Sequence, residues 1–147
     1  MPELLNDEIK AQVRQVFDQM HEPVEVLFFG QKDNCEHCDD TLQLVRELAD
    51  LSGLLTLQVY DIDQDARVAR QYNVDKTPGL VIAGREGDRV EDYGIRYAGI
   101  PAGHEFSSLV HDLVLVSNRD SGLDEQTREI LHGLTQPVLL QVFVTPT

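Results

Sequence analysis

The chain has 147 residues, of which 41% are hydrophobic and 26% are charged, a composition typical of a folded globular domain. Its 26 acidic residues against 12 lysines and arginines give a net charge of −14. Because nucleic acids and anionic membranes are bound by clustered cations, this charge argues against both as partners. We find no signal-peptide pattern at the N-terminus and no apolar run near the roughly 20 residues that span a bilayer, so we expect a cytoplasmic protein.

Apolar periodicity in the first half of the chain predicts a helix, a buried strand, a second helix, a second strand and a short helix. These elements cover residues 5–20, 24–29, 41–51, 54–60 and 65–72. Asn6 is the predicted N-cap of the first helix, because its side-chain oxygen can accept from an unpaired backbone N–H.

The second half of the chain predicts two more strands and a helix. Thr77 and Pro78 precede a strand at 79–83, and a turn at 84–88 leads into a strand at 89–93. A glycine-rich loop at 94–103 then precedes a helix at 105–116. This order of elements is typical of an α/β fold in which helices flank a mixed sheet with a hairpin at one edge.

Cys35 and Cys38 are the only cysteines and form a Cys-x-x-Cys motif between the first strand and the second helix. At a helix N-terminus, unpaired N–H groups and the helix dipole favour a thiolate at Cys35, and Cys38 one turn later can attack a mixed disulfide there. Half of a zinc site and two inert buried thiols are the alternatives. Zinc normally takes four ligands, and the sequence has no second Cys-x-x-Cys or His-x-x-x-His motif. We therefore predict a redox dithiol, without a metal and without any cofactor beyond the disulfide.

His37 and Glu36 separate the two cysteines and are the predicted redox-tuning residues. An imidazolium at His37 would stabilise the Cys35 thiolate and make the disulfide a better oxidant. Glu36 acts in the opposite direction, because a second negative charge raises the electrostatic cost of the thiolate. The alternative for His37 is a solvent-facing side chain without a role in the chemistry.

The C-terminal residues repeat the pattern of the N-terminal ones. A linker at 117–122 is followed by a predicted helix at 123–134 and a strand at 138–144, and Gln136-Pro137-Val138 echoes Glu22-Pro23-Val24. We therefore predict one complete domain at 1–117, and a linker plus the first helix and strand of a second unit at 118–147. Because an unpaired apolar strand needs a partner, this segment should either pack against the first unit or pair with the same segment of a second chain; we favour the second and expect a homodimer.

Taken together, the element order, Cys-x-x-Cys and Thr77-Pro78 resemble the thioredoxin superfamily. The loop at 94–106 and the ending at 142–147 are similar to the two-unit, glutaredoxin-like protein disulfide oxidoreductases of archaea and thermophilic bacteria. The resemblance implies a thioredoxin fold with a mixed four-stranded sheet, Cys35 as the nucleophile and Cys38 as the resolving thiol. It also implies a cis bond before Pro78, and that Thr77 and Pro78 bind substrate beside the dithiol.

The expected function is a thiol–disulfide oxidoreductase that reduces, forms or isomerises disulfides through Cys35 and Cys38. Its expected partners are disulfide-containing protein substrates and a thioredoxin-reductase-like electron donor. The alternative is a non-catalytic docking unit within a larger redox protein, in which the dithiol reacts slowly.

Overall fold

The computed structural model describes residues 2–145, which form a mixed sheet with helices on both faces. The four strands have the order β2-β1-β3-β4; β1 is parallel to β2 and antiparallel to β3, and β3 is antiparallel to β4. The elements are α1 (Asp7–Phe17), β1 (Val24–Gly30), α2 (Cys38–Ala49), β2 (Leu55–Asp61), α3 (Ala66–Gln71), β3 (Gly79–Glu86), β4 (Arg89–Ala98), α4 (His104–Ser117) and α5 (Glu125–His132). The predicted α/β fold with a mixed four-stranded sheet is confirmed. None of the helices in the described residues has the length and apolarity to cross a membrane.

The central strand β1 is buried along its whole length, which explains its nearly continuous apolar sequence. Val26 and Phe28 point into a core formed with α1, α2 and α4, whereas Leu27 and Phe29 lie in a second core with Ala69 of α3. Glu25 is the charged exception in this strand. Its buried carboxylate is 2.6 Å from the guanidinium of Arg85 on β3, and such pairing is what allows a charge at a buried position.

The hairpin formed by β3 and β4 is longer than the sequence predicts. β3 continues to Glu86 and β4 to Ala98, so residues 84–86 of the predicted turn at 84–88 and the first part of the predicted loop at 94–103 belong to strands, and the turn itself consists of residues 87 and 88. The pairing register shifts between Ile82 and Ala83, and Gly94 has a φ of +85° at this irregularity. Gly94 therefore accommodates a bulge within the strand and does not end it.

The C-terminal segment differs from its prediction in one respect. The predicted helix is present as α5, and Asp124 caps it by accepting a hydrogen bond from the Thr127 N–H at 2.7 Å. The predicted strand at 138–144 is not formed, because within residues 2–145 the sheet consists of β1–β4 alone. A strand requires a neighbouring strand to pair its backbone groups, and the side chains of Leu139 and Phe143 are 82% and 87% exposed.

The buried carboxylate of Glu47 on α2 holds the N-terminal segment against the domain. It accepts hydrogen bonds from the Leu4 N–H at 2.9 and 3.0 Å and from the Leu5 N–H at 2.9 Å. Burial raises the pKa of Glu47, but these bonds and one from Gln43 outweigh it, so the pKa lies below its ordinary value of 4.5. The ionised carboxylate of Glu47 therefore stabilises the folded protein at pH values above 4.5.

This contribution should be lost as the pH falls through the folded-state pKa of Glu47. We expect the thermal midpoint of wild type to exceed that of Glu47→Gln by several degrees at pH 7, and the difference to shrink steadily below about pH 4.5. Thermal unfolding of both proteins between about pH 3 and pH 7 measures it. A difference that stays constant over this range would contradict the assignment.

Candidate active site

Cys35 and Cys38 form a disulfide at the junction between β1 and α2. The helix begins at Cys38, three residues earlier than the apolar periodicity predicts, and Cys35 lies in the loop that precedes it. The physical reason is that the first helical hydrogen bond runs from the Thr41 N–H to the His37 carbonyl, at 3.0 Å. Cys35 remains close to the helix N-terminus, since its Cα lies 5.5 Å from that of Cys38.

The two cysteines differ in their access to solvent. Cys38 is 6% exposed and belongs to the main core, whereas Cys35 is partly exposed at its edge. Gly30 lies against the Cys38 sulfur: a Cβ on Gly30 would be 3.7 Å from Sγ and only 2.8 Å from the Phe28 ring. A protein substrate can therefore approach the sulfur of Cys35 more readily than that of Cys38.

The residues around the dithiol are polar and mostly acidic. Glu36 and His37 are exposed, and His37 does not cap α2 with its side chain. The other charged side chains of this loop and of the first helical turn are Lys32, Asp33, Asp39 and Asp40. His37 directly precedes the buried Cys38 and follows the more accessible Cys35 by two residues, and its side chain is not used to cap the helix.

Thr77 and Pro78 lie at the same end of the sheet as the dithiol. Gly79 pairs with Phe29, so the Thr77–Pro78 segment enters β3 where β1 ends and the chain turns toward the cysteines. The Thr77–Pro78 bond is cis, and the Pro78 carbonyl accepts from the Gly99 N–H at 2.8 Å. Pro78 is buried and Thr77 is partly exposed.

Gln31 connects this segment to the loop of the cysteines and was not identified from the sequence. Its Oε1 accepts from the Thr77 hydroxyl at 3.3 Å, and its Nε2 donates to the Asp63 carboxylate at 3.1 Å. Thr77 and Gln31 are 46 residues apart, so this hydrogen bond cannot be predicted from a local sequence pattern. Thr41 was also not singled out from the sequence. It lies on the buried face of α2 three residues after Cys38, and a polar side chain at such a position can be recognised from the sequence.

A carboxylate at the end of β2 adds to the negative charge at this end of the sheet. Asp61 pairs with Gly30 in the parallel register. Hydrogen bonds from the N–H groups of Gln64 and Asp63 lower the pKa of Asp61 from its ordinary value of 3.8, which keeps it ionised at neutral pH. Within residues 2–145, no group of three or more His, Cys, Asp or Glu side chains is arranged to hold a metal ion.

Comparison with known proteins places this arrangement in a family. Residues 23–87 match a family model described as a thioredoxin domain. The structure of a protein disulfide oxidoreductase from Aeropyrum pernix superposes with a TM-score of 0.74 at 32% identity, over 88% of this chain and 55% of that one. The alkyl hydroperoxide reductase component AhpF of Enterococcus faecalis has a TM-score of 0.77, at 24% identity over 88% of this chain and 61% of that one, and shows the shared fold.

A curated relative extends the similarity to nearly the full chain. The corresponding alkyl hydroperoxide reductase component of Staphylococcus epidermidis is 28% identical over 98% of this chain, which spans 25% of that protein. The chain thus corresponds to a part of this longer relative. Sequence, sheet topology and the Cys35–Cys38 disulfide agree with one another, and they identify a thioredoxin domain at residues 23–87 within a thioredoxin fold.

Proposed function

We propose that the chain is a protein disulfide oxidoreductase that acts through Cys35 and Cys38. The observation that carries this proposal is the disulfide between an accessible Cys35 and a buried Cys38 at a strand-to-helix junction. The docking alternative is less favoured, because docking alone requires neither the disulfide nor the difference in exposure.

In the reducing direction, the Cys35 thiolate attacks one sulfur of a substrate disulfide. The second substrate sulfur leaves with the bonding electron pair and takes up a proton. Cys38 then attacks the Cys35 sulfur, the bond between Cys35 and the substrate breaks, and the first substrate sulfur leaves as a thiolate. Two electrons pass from the dithiol to the substrate, and the reverse sequence forms a disulfide.

An insulin-reduction assay tests this function. Wild type in the presence of dithiothreitol should accelerate the reduction of insulin, and Cys35→Ser should lose that acceleration, because the serine hydroxyl does not form the mixed disulfide. An activity that survives Cys35→Ser would contradict the proposal and would favour a docking role. The dithiol potential then indicates direction: about −270 mV is typical of a reductant and about −180 mV of an oxidant or isomerase.

We further propose that Thr77 and Pro78 bind the substrate chain and that His37 and Glu36 tune the dithiol. The Thr77–Pro78 segment lies beside the end of β1, where an extended substrate peptide can pair with backbone groups next to the accessible sulfur. His37 favours and Glu36 opposes the Cys35 thiolate by their charges. Redox titration of His37→Ala tests this tuning, and a potential equal to that of wild type would contradict it.

The proposed electron donor is a thioredoxin-reductase-like protein. The relatives' names support a coupling to a reductase, since the chain is similar to part of an alkyl hydroperoxide reductase. The cytoplasmic location stays a prediction from the sequence.

We propose that residues 118–147 are a linker and a partial second unit that mediates dimerisation. The support is the exposure of apolar side chains in this segment, since Leu140 and Val142 are 85% and 84% exposed. A matching segment from a second copy would cover such a surface and pair its strand-forming residues.

Light scattering on the full chain and on a chain ending at Asp120 tests this dimer. We end the short chain there because Arg119, although it lies in the linker, is bonded to the first unit: its guanidinium donates to the carbonyls of Pro23 and Arg85, at 3.0 and 3.1 Å. The full chain should have twice the monomer mass and the short chain the monomer mass. Two monomers would refute the proposal.

A further inference from the structure

Thr41 has a buried hydroxyl for which the fold provides no partner. Its side chain is 0% exposed, and Oγ1 makes no hydrogen bond within the part of the chain that the structure describes. A buried polar group without a hydrogen bond costs free energy. Native proteins satisfy nearly all such groups, so an exception calls for a physical reason.

Ser117 carries the other fully buried hydroxyl of this domain, and that hydroxyl is fully hydrogen-bonded. Ser117 is also 0% exposed, but its Oγ accepts from the N–H groups of His21 and Glu22, at 2.9 and 3.1 Å, and donates to the Glu22 carbonyl at 2.7 Å. A buried helical threonine can donate to a carbonyl one turn earlier. Thr41 makes no such bond among the described residues, although its own N–H binds the His37 carbonyl.

The location of Thr41 suggests which group is its partner in another state of the protein. It follows Cys38 by three residues in α2, and residues at this spacing are neighbours on one side of a helix. Both side chains are buried, with Cys38 at 6% exposure. In the structure the Cys38 sulfur is engaged in the disulfide, and an uncharged disulfide sulfur is a poor hydrogen-bond acceptor.

We propose that the Thr41 hydroxyl donates a hydrogen bond to the Cys38 sulfur when the disulfide is reduced. Thr41 is then a positioning residue for the resolving cysteine, and this role rests on the oxidoreductase function proposed above. Reduction turns the Cys38 sulfur into a thiol or thiolate, and a thiolate is a strong acceptor because it carries a full charge. The hydroxyl is therefore unpaired in the oxidised protein and paired in the reduced one.

This difference has a consequence for the exchange reaction. In the mixed disulfide, the Cys38 thiolate attacks the Cys35 sulfur, the bond between Cys35 and the substrate breaks, and the substrate sulfur leaves with the electron pair and takes a proton. The Thr41 bond holds the attacking thiolate before this step and is lost when the protein disulfide forms. Thr41 thus stabilises the reduced form relative to the oxidised form and makes the disulfide a stronger oxidant.

Replacement of Thr41 by valine removes the hydroxyl and keeps the shape of the side chain. We expect Thr41→Val to shift the equilibrium with glutathione roughly 3- to 10-fold toward the protein disulfide, since one hydrogen bond is lost from the reduced form. A tenfold shift corresponds to a potential about 30 mV lower. Thermal unfolding should show the valine variant gaining stability in its oxidised form relative to its reduced form. Mass spectrometry after thiol alkylation measures the equilibrium.

Three further variants make the test specific. Thr41→Ser keeps the hydroxyl and should retain the wild-type equilibrium with glutathione. Thr41→Ala should shift this equilibrium in the same direction as Thr41→Val. The serine and alanine variants therefore test the proposal even if the valine variant fails to fold. Ser117→Ala, at a satisfied hydroxyl remote from the dithiol, should destabilise both redox forms equally and leave the equilibrium unchanged. An equilibrium unaffected by Thr41→Val and equal for serine and alanine would overturn the inference. The insulin assay with wild type reports separately on the proposed function.

Discussion

The Cys38→Ser variant is expected to accumulate as a mixed disulfide between Cys35 and its substrate, with turnover in the insulin assay falling to near background. Cys35 is the partly exposed sulfur and can still attack. Cys38 is the buried cysteine and the proposed resolving residue, and a serine hydroxyl in its place does not attack a mixed disulfide. Nonreducing electrophoresis and intact-mass spectrometry after incubation with oxidised insulin would detect the covalent complex.

The Cys35→Ser variant is the matched control, because it retains the buried thiol alone. It should form little mixed disulfide and react slowly with iodoacetamide, since its remaining sulfur belongs to a residue that is only 6% exposed. The opposite pattern, with a stable complex through Cys38 in the Cys35→Ser protein, would show that the roles of the two cysteines are reversed.

Gly79→Ala should lower activity substantially although residue 79 carries no reactive group. A Cβ at this position would lie 2.8 Å from the Lys76 carbonyl oxygen and 2.9 Å from Val74 Cγ1. Because one of these atoms belongs to the backbone, the segment that contains Thr77 and Pro78 must move to make room. We expect a stability loss of about 1–3 kcal/mol from overpacking. If the Thr77–Pro78 segment binds substrate as proposed, kcat/KM for insulin reduction should fall roughly tenfold to hundredfold, because misplacement of such a segment by about 1 Å is costly.

Gly53→Ala provides the control for this substitution. A Cβ on Gly53 would have no atom within 4 Å, so alanine should leave activity unchanged and alter stability little. Denaturant unfolding and steady-state insulin reduction should be measured on both variants. If Gly79→Ala unfolds more easily but reduces insulin at the wild-type rate, the Thr77–Pro78 segment does not position the substrate.

Much of the fold was predictable because its central elements have strong local patterns. The apolar run of β1 indicates a strand covered on both faces, and the structure places helices on each side of it. Asn6 was predicted as the N-cap of the first helix and accepts from the Ile9 N–H at 2.8 Å. Errors arose where tertiary pairing overrides local signals, as in β4, where Gly94 suggests a loop but lies within a strand that pairs with β3.

For the candidate site, the sequence by itself determined which residues are candidates for the chemistry: two cysteines one helical turn apart after a buried strand, and a Thr-Pro pair before a later strand. Only the tertiary structure decided which sulfur is buried, that Gln31 connects Thr77 to the cysteine loop, and that the Thr41 hydroxyl is unpaired among the described residues. It also decided that residues 138–144 form no strand within the described chain. The reason is physical: periodicity and capping act between neighbours in sequence, whereas burial, strand pairing and hydrogen-bond satisfaction depend on groups that only folding brings together.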